Sequence, residues 1–176
     1  MKGLITTCLL ILSSALAFSQ DKKESMSNAE LFSSQAGTLI EKEFIDLGKI
    51  GKTEIQILKI TDMISGKSVS SFRITQEVKG SYSSDTKIAH LDSDEINGLI
   101  KSMNIIKESV FGVTANNYTE ITFRSRSGFE AGCFWSKNDW VSYMQLKKYD
   151  RKSMILLQRV DFDKFLELLE LAESKI

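Results

Sequence analysis

The chain has 176 residues, with 23 basic and 23 acidic side chains, one histidine, two cysteines and no proline. Near-zero net charge gives no long-range pull toward nucleic acid or anionic lipid, so neither is expected as a partner. The lack of proline excludes a Pro-rich linker or recognition arm and a slow prolyl phase in folding.

Residues 1–19 read as a cleavable signal peptide. Lys2 supplies a positive charge, residues 4–12 are almost wholly apolar, and Ala15-Leu16-Ala17 has the small-x-small form of a cleavage site. The apolar run, about 15 residues, falls short of the ~20 a membrane-crossing helix needs, and no later segment approaches that length. The expectation is a secreted or periplasmic protein, soluble after processing, with no membrane span. Cys8 lies inside the apolar run and reads as an ordinary signal residue. Cys133 then stands alone, so no intramolecular disulfide is expected. About 155 residues remain, enough for one domain with its own core.

Residues 20–36 are rich in Ser, Asn and Gln and predict a flexible tether. Two similar units follow, at about 37–108 and 118–176. Each opens its regular part with Thr-Glu-Ile, at Thr53 and again at Thr119. In the first unit, residues 39–47 are bounded by Gly37 and Gly48 and favour a strand over a helix. Strands at 54–61, 69–78 and about 86–91 come next. Asp92, with Glu95 three residues on, predicts a capped helix, and Leu91 and Ile96 form its staple. Ile96, Leu99, Ile100 and Met103 make its apolar stripe. In the second unit, turns at Ser127-Gly128, Lys137-Asn138-Asp139 and Asp150-Arg151-Lys152 separate strands at 118–126, 129–136, 140–149 and 153–160. Asp161 predicts the next helix cap, with Val160 and Phe165 as staple. Phe165, Leu168, Leu169 and Ala172 repeat the spacing of the first stripe.

The fold class is therefore α+β: an antiparallel sheet of about 6–8 strands with two helices on one face, from two meander-plus-helix units. A closed barrel with a terminal helix is the alternative. The order of elements resembles duplicated sheet-plus-helix architectures such as the TATA-binding-protein-like fold. That likeness implies a layout and brings no function with it.

Cys133 and His90 are the one available thiol–imidazole pair. Cys133 sits mid-strand, where a buried, inert thiol is expected, so no catalytic residue is assigned. One histidine and one cysteine leave a metal site short of ligands, and no metal or other cofactor is expected. The sequon Asn117-Tyr118-Thr119 is an acceptor only in a host that glycosylates exported chains. Lys147, Lys148, Arg151 and Lys152 form a basic hairpin tip. The candidate site is aromatic: Phe129, Phe134, Trp135, Trp140 and Tyr143 fall in two adjacent strands. Alternation sends Phe134 and Trp135 to opposite faces, so some of this surface points away from the helices. The reading is an exported, non-enzymatic binding module that uses an open sheet face for a protein or small ligand. The alternatives are an envelope-associated assembly protein and, further off, a hydrolase without a sequence motif.

Overall fold

In a computed structural model that describes residues 26–80 and 83–176, the chain runs twice through four antiparallel strands and into a helix. The first unit contains β1 (Ile40–Ile50), β2 (Thr53–Asp62), β3 (Ser68–Lys79), β4 (Ser84–Asp92) and α2 (Ser93–Ile105). It is preceded by a short helix, α1 (Asn28–Ser33). The second contains β5 (Glu120–Arg124), β6 (Glu130–Ser136), β7 (Asp139–Gln145), β8 (Met154–Leu157) and α3 (Arg159–Glu173). The eight strands divide into two four-stranded sheets, ordered β1-β2-β3-β4 and β5-β6-β7-β8, and neither closes into a barrel. The segment expected to be a signal peptide, residues 1–19, lies outside the described residues.

Short turns set both meanders. Gly51, at φ +55, forms with Lys52 the two-residue link between Ile50 and Thr53, which pair across it. Gly66, at φ +72, closes the next hairpin. In the second sheet Lys137 and Asn138 both take positive φ, 52° and 63°, between the paired Ser136 and Asp139. This is the double left-handed geometry of a type I′ turn.

One core serves both units. Ile55, Ile57, Phe72, Ile74, Ala89 and Leu91 line the inner face of the first sheet, and Phe129, Ala131, Cys133, Trp140 and Met144 that of the second. The stripes Ile96, Leu99 and Met103 of α2 and Phe162, Phe165, Leu169 and Ala172 of α3 join them in a continuous cluster. Phe72 meets Phe165 at 6.4 Å between ring centroids, so the first sheet packs on the helix of the second unit. A bulge between Asp46 and Gly48 in β1 helps this docking. A Cβ on Gly48 would lie 3.2 Å from Leu168 Cδ2, so the missing side chain brings α3 close to the strand.

Two local expectations are corrected. Helix α3 begins a turn before Asp161: its N-cap is Gln158, and Asp161 is the third helical residue, accepting from the Gln158 N–H at 3.4 Å. The early start carries Phe162 into the core, while Val160 stays exposed and staples nothing. The tether also ends sooner than its composition implies. Ser27 caps α1 in a reciprocal box with Glu30, whose carboxylate accepts from the Ser27 N–H at 2.8 Å. Ala29 is buried with Leu58 and Ile60, and Phe32, Ile40 and Val69 pack around them. β2 therefore buries opposite faces along its length: Ile55 and Ile57 toward the helices, Leu58 and Ile60 toward α1. Apolar burial outweighs a polar local composition here.

Candidate functional site

Register places the aromatic residues on two sides of the second sheet. Trp135 pairs with Trp140 and Cys133 with Ser142, so these side chains share the inner face. The two indoles meet edge to face at 5.4 Å, and Trp140 Nε1–H donates to the Val113 carbonyl at 2.7 Å. Trp140 and Phe129 are buried and Trp135 packs against the core cluster. Phe129 and Trp140 are therefore structural rather than available for recognition, because the helices need apolar cover from this face, while Trp135 stays part-exposed at its margin.

Phe134 and Tyr143 lie on the outer face. Tyr143 on β7 and Thr122 on β5 both pair with Gly132 of β6, and their hydroxyls meet at 2.8 Å. The tyrosine ring therefore passes over the glycine and covers its bare backbone. A Cβ on Gly132 would lie 1.9 Å from the Ile121 carbonyl oxygen, so this position admits no side chain. The ring is 5% exposed, and burial raises its hydroxyl above the usual tyrosine range. Phe134 packs beside it at 6.0 Å, and Tyr118 extends the row at 6.5 Å. Tyr118 is 67% exposed and donates to Glu120 Oε1. On the far side of the sheet Leu156 pairs with Tyr143 and is 60% exposed, with Met154 two residues before it. Arg124 donates to Glu130 at 2.7 Å at the margin.

The outer surface thus runs from Tyr118 through Phe134 and Tyr143 to Leu156. Sequence reasoning missed Tyr118 and Leu156. Their signal was parity: Tyr118 is in phase with Glu120 and Thr122, and Leu156 is out of phase with Ile155 and Leu157, which join the core.

The histidine and cysteine do not meet. Cys133 is buried on the inner face of the second sheet, where desolvation pushes its thiol up to about 11. His90 pairs with Arg73, on the opposite side of the first sheet from Ile74 and Phe72. Its Nδ1 lies 3.3 Å from the Ser71 hydroxyl. Burial lowers its pKa, and Arg73 and Lys42 act in the same direction against Glu30 and Asp92. Two small clefts of about 210 and 190 Å³ flank it, both bordered by Met26 and Glu30. Among the described residues, no group of three or more His, Cys, Asp and Glu is placed to hold a metal ion.

A charged junction stands beside His90. Asp92 is 2% exposed. It forms a capping box with Glu95, whose carboxylate accepts from the Asp92 N–H at 3.0 Å. Its own carboxylate also accepts from outside that helix: the Asn28 N–H at 2.9 Å, the Ala29 N–H at 3.3 Å, and Arg126 Nη1. Arg126 reaches on to Asp94, and its backbone N–H donates to Glu95 Oε1 at 2.7 Å. Arg126 holds the Asp94 carboxyl below its usual range, and the acidic neighbours raise the guanidinium's own pKa. One arginine of the second unit thus ties together the start of α2 and the start of α1. Nothing local in the sequence around Arg126 signals this.

No family model, curated protein or solved structure matches the chain significantly. Among the described residues, no helix is long and apolar enough to cross a membrane.

Proposed function

We propose that the chain, in its exported form, is a non-enzymatic binding module that holds a protein partner on the outer face of its second sheet. The observation that carries this reading is the row Tyr118, Phe134, Tyr143 and Leu156, which faces away from the shared core. Tyrosine, phenylalanine, methionine and arginine are the residues enriched at protein interfaces. Phe134 leans on the buried Tyr143 ring at a tilt of 46°, so the pair offers an irregular apolar relief rather than a free flat face. A protein side chain fits that relief better than a stacked sugar ring. The Arg124–Glu130 pair and Glu120 supply a polar rim.

A photo-crosslinking amino acid at position 118 or 156 tests the proposal in the native compartment. A control probe at Lys101, exposed on α2, reports background. The expected result is one discrete adduct from the sheet probes and none from the control. The captured protein, once purified, should bind the wild-type chain and lose about tenfold or more in affinity to Leu156→Asp. Identical adduct patterns from all three positions would overturn the proposal. An adduct of twice the chain mass would assign the face to self-assembly instead.

A further inference from the structure

The most capacious of the described clefts lies away from that face. It encloses about 470 Å³, within the roughly 300–1,000 Å³ typical of small-molecule sites. The clefts beside His90 and a neighbour across β3, at about 210, 190 and 260 Å³, are smaller than that range. Three separate parts of the chain build the large cleft. Lys52 comes from the β1–β2 turn, Gln76, Glu77, Val78 and Lys79 from the end of β3, and Lys152 from the 3-10 turn Arg151–Ser153 of the second unit.

Two features point to a ligand. The first is charge: three ammonium groups border the cleft against one carboxylate, Glu77. Lys49, Lys87 and Lys107 each hold an acidic partner at 2.7 Å, whereas Lys52, Lys79 and Lys152 make no salt bridge among the described residues, Lys152 lying near the Asp150 carboxylate that Lys87 already holds. Three like charges around one concavity favour an anion between them. The second feature is an acceptor without a donor. Gln76 Oε1 is buried and makes no hydrogen bond. Thr75 Oγ1 is in the same condition, and it borders the neighbouring cleft, which shares Lys52 and Glu77. Buried polar atoms in folded proteins are nearly always paired, so the orphaned Gln76 carbonyl at this cleft calls for an explanation. A ligand hydroxyl would satisfy the Gln76 carbonyl, and an anionic group would sit among the lysines.

We infer that this cleft binds a small hydroxylated anion of the acidic-monosaccharide class, either a uronate or a sugar phosphate. Both present the same chemistry: hydroxyl donors on one side and a carboxylate or phosphate on the other. The proposal is independent of the aromatic face.

Calorimetric titration of the purified protein at low salt, with D-glucuronate, glucose 6-phosphate, glucose and inorganic phosphate, tests it. At least one anionic sugar should bind saturably, about tenfold or more tighter than glucose or phosphate alone. The preferred sugar identifies the anionic group. Lys52→Ala with Lys152→Ala should weaken that binding at least about tenfold, and added salt should weaken it in wild type. Gln76→Leu should weaken it about threefold or more while leaving the urea midpoint unchanged or raised, because its buried carbonyl has no partner to lose. The inference falls if neither anionic sugar saturates by about 10 mM. It falls equally if inorganic phosphate binds as tightly as the sugars, or if the lysine variants bind like wild type.

Discussion

Replacing Arg126 by methionine tests the junction between the units. The guanidinium is about a third exposed, while the Asp92 side chain it meets is 3% exposed. Removing one partner of a fully buried pair costs about 3–5 kcal/mol, because the other charge is left stranded. Here the loss is smaller. Asp92 keeps the N–H groups of Asn28 and Ala29, and solvent reaches the arginine side of the pair. The expected cost is about 2–3 kcal/mol, or a fall in Tm of about 5–10 °C for a domain of this size. Methionine keeps the apolar stem, and the Arg126 N–H to Glu95 is untouched, so the variant isolates the guanidinium. Urea unfolding measures the loss. Asp94→Ala, which removes the exposed partner, should cost within about 0.5 kcal/mol. Hydrogen exchange supplies a second reading: Asn28 and Ala29 should lose protection in Arg126→Met before the sheet strands do. A cost for Arg126→Met below about 0.5 kcal/mol, or equal to that of Asp94→Ala, would refute the account.

Gly132→Ala should destabilise by at least about 3 kcal/mol or prevent folding, since its Cβ would collide with β5 backbone; solubility and urea unfolding report it. His90 is half-buried with a lowered pKa, so the unfolded chain binds its proton more readily than the folded one. Stability should therefore fall as pH drops below about 6.5, by no more than about 1.4 kcal/mol per pH unit from this group. His90→Gln should remove that part of the slope, seen by comparing the two unfolding curves at pH 5.5 and 7.5. Cys133, buried with its thiol pushed up, should resist iodoacetamide at pH 8 and react only at the rate the domain opens, followed by mass mapping. Leu156→Asp should leave stability within about 0.5 kcal/mol, which separates its effect on binding from any effect on folding.

The strands were legible because their signals are local: alternation and the turns at Ser127-Gly128 and 137–139 each act over a few residues. The two helices were legible for the same reason, from their apolar stripes. The start of α3 was not, because Asp161 serves equally well as a cap and as the third residue of a helix; burial of Phe162 decides between them. Helix α1 was hidden because a helix of six residues has no intrinsic stability. It forms against Leu58 and Ile60 and under the carboxylate of Asp92, a residue 63 or 64 positions away. Of the candidate site, the split between Phe134 and Trp135 followed from strand parity alone. Which members met the helices did not, since that depends on where α2 and α3 dock.

The two units differ most in what covers their outer faces, and the proposed binding face follows from this difference. In the first sheet, α1 closes over Leu58, Ile60 and Val69, and beyond it the surface turns polar. There Arg73 stacks on Phe44 at 5.2 Å and donates to Gln56, which in turn donates to Asp46. In the second sheet no corresponding helix lies over Phe134, Tyr143 and Leu156 among the described residues. The sheets cannot cover one another, because β4 meets the second unit through side chains. Ser127 Oγ donates to the His90 carbonyl at 2.7 Å, and Lys87 bridges to Asp150 at 2.7 Å. These contacts fix the second sheet beside the first without adding a strand to it. No strand of one sheet pairs with the other, and on the proposed reading the exposed Tyr118 and Leu156, with half-buried Phe134 between them, are what a partner covers. A second copy of α1 fused over the outer face of the second sheet, with the native α1 left in place, should therefore abolish the adduct at position 156 while urea unfolding is unchanged.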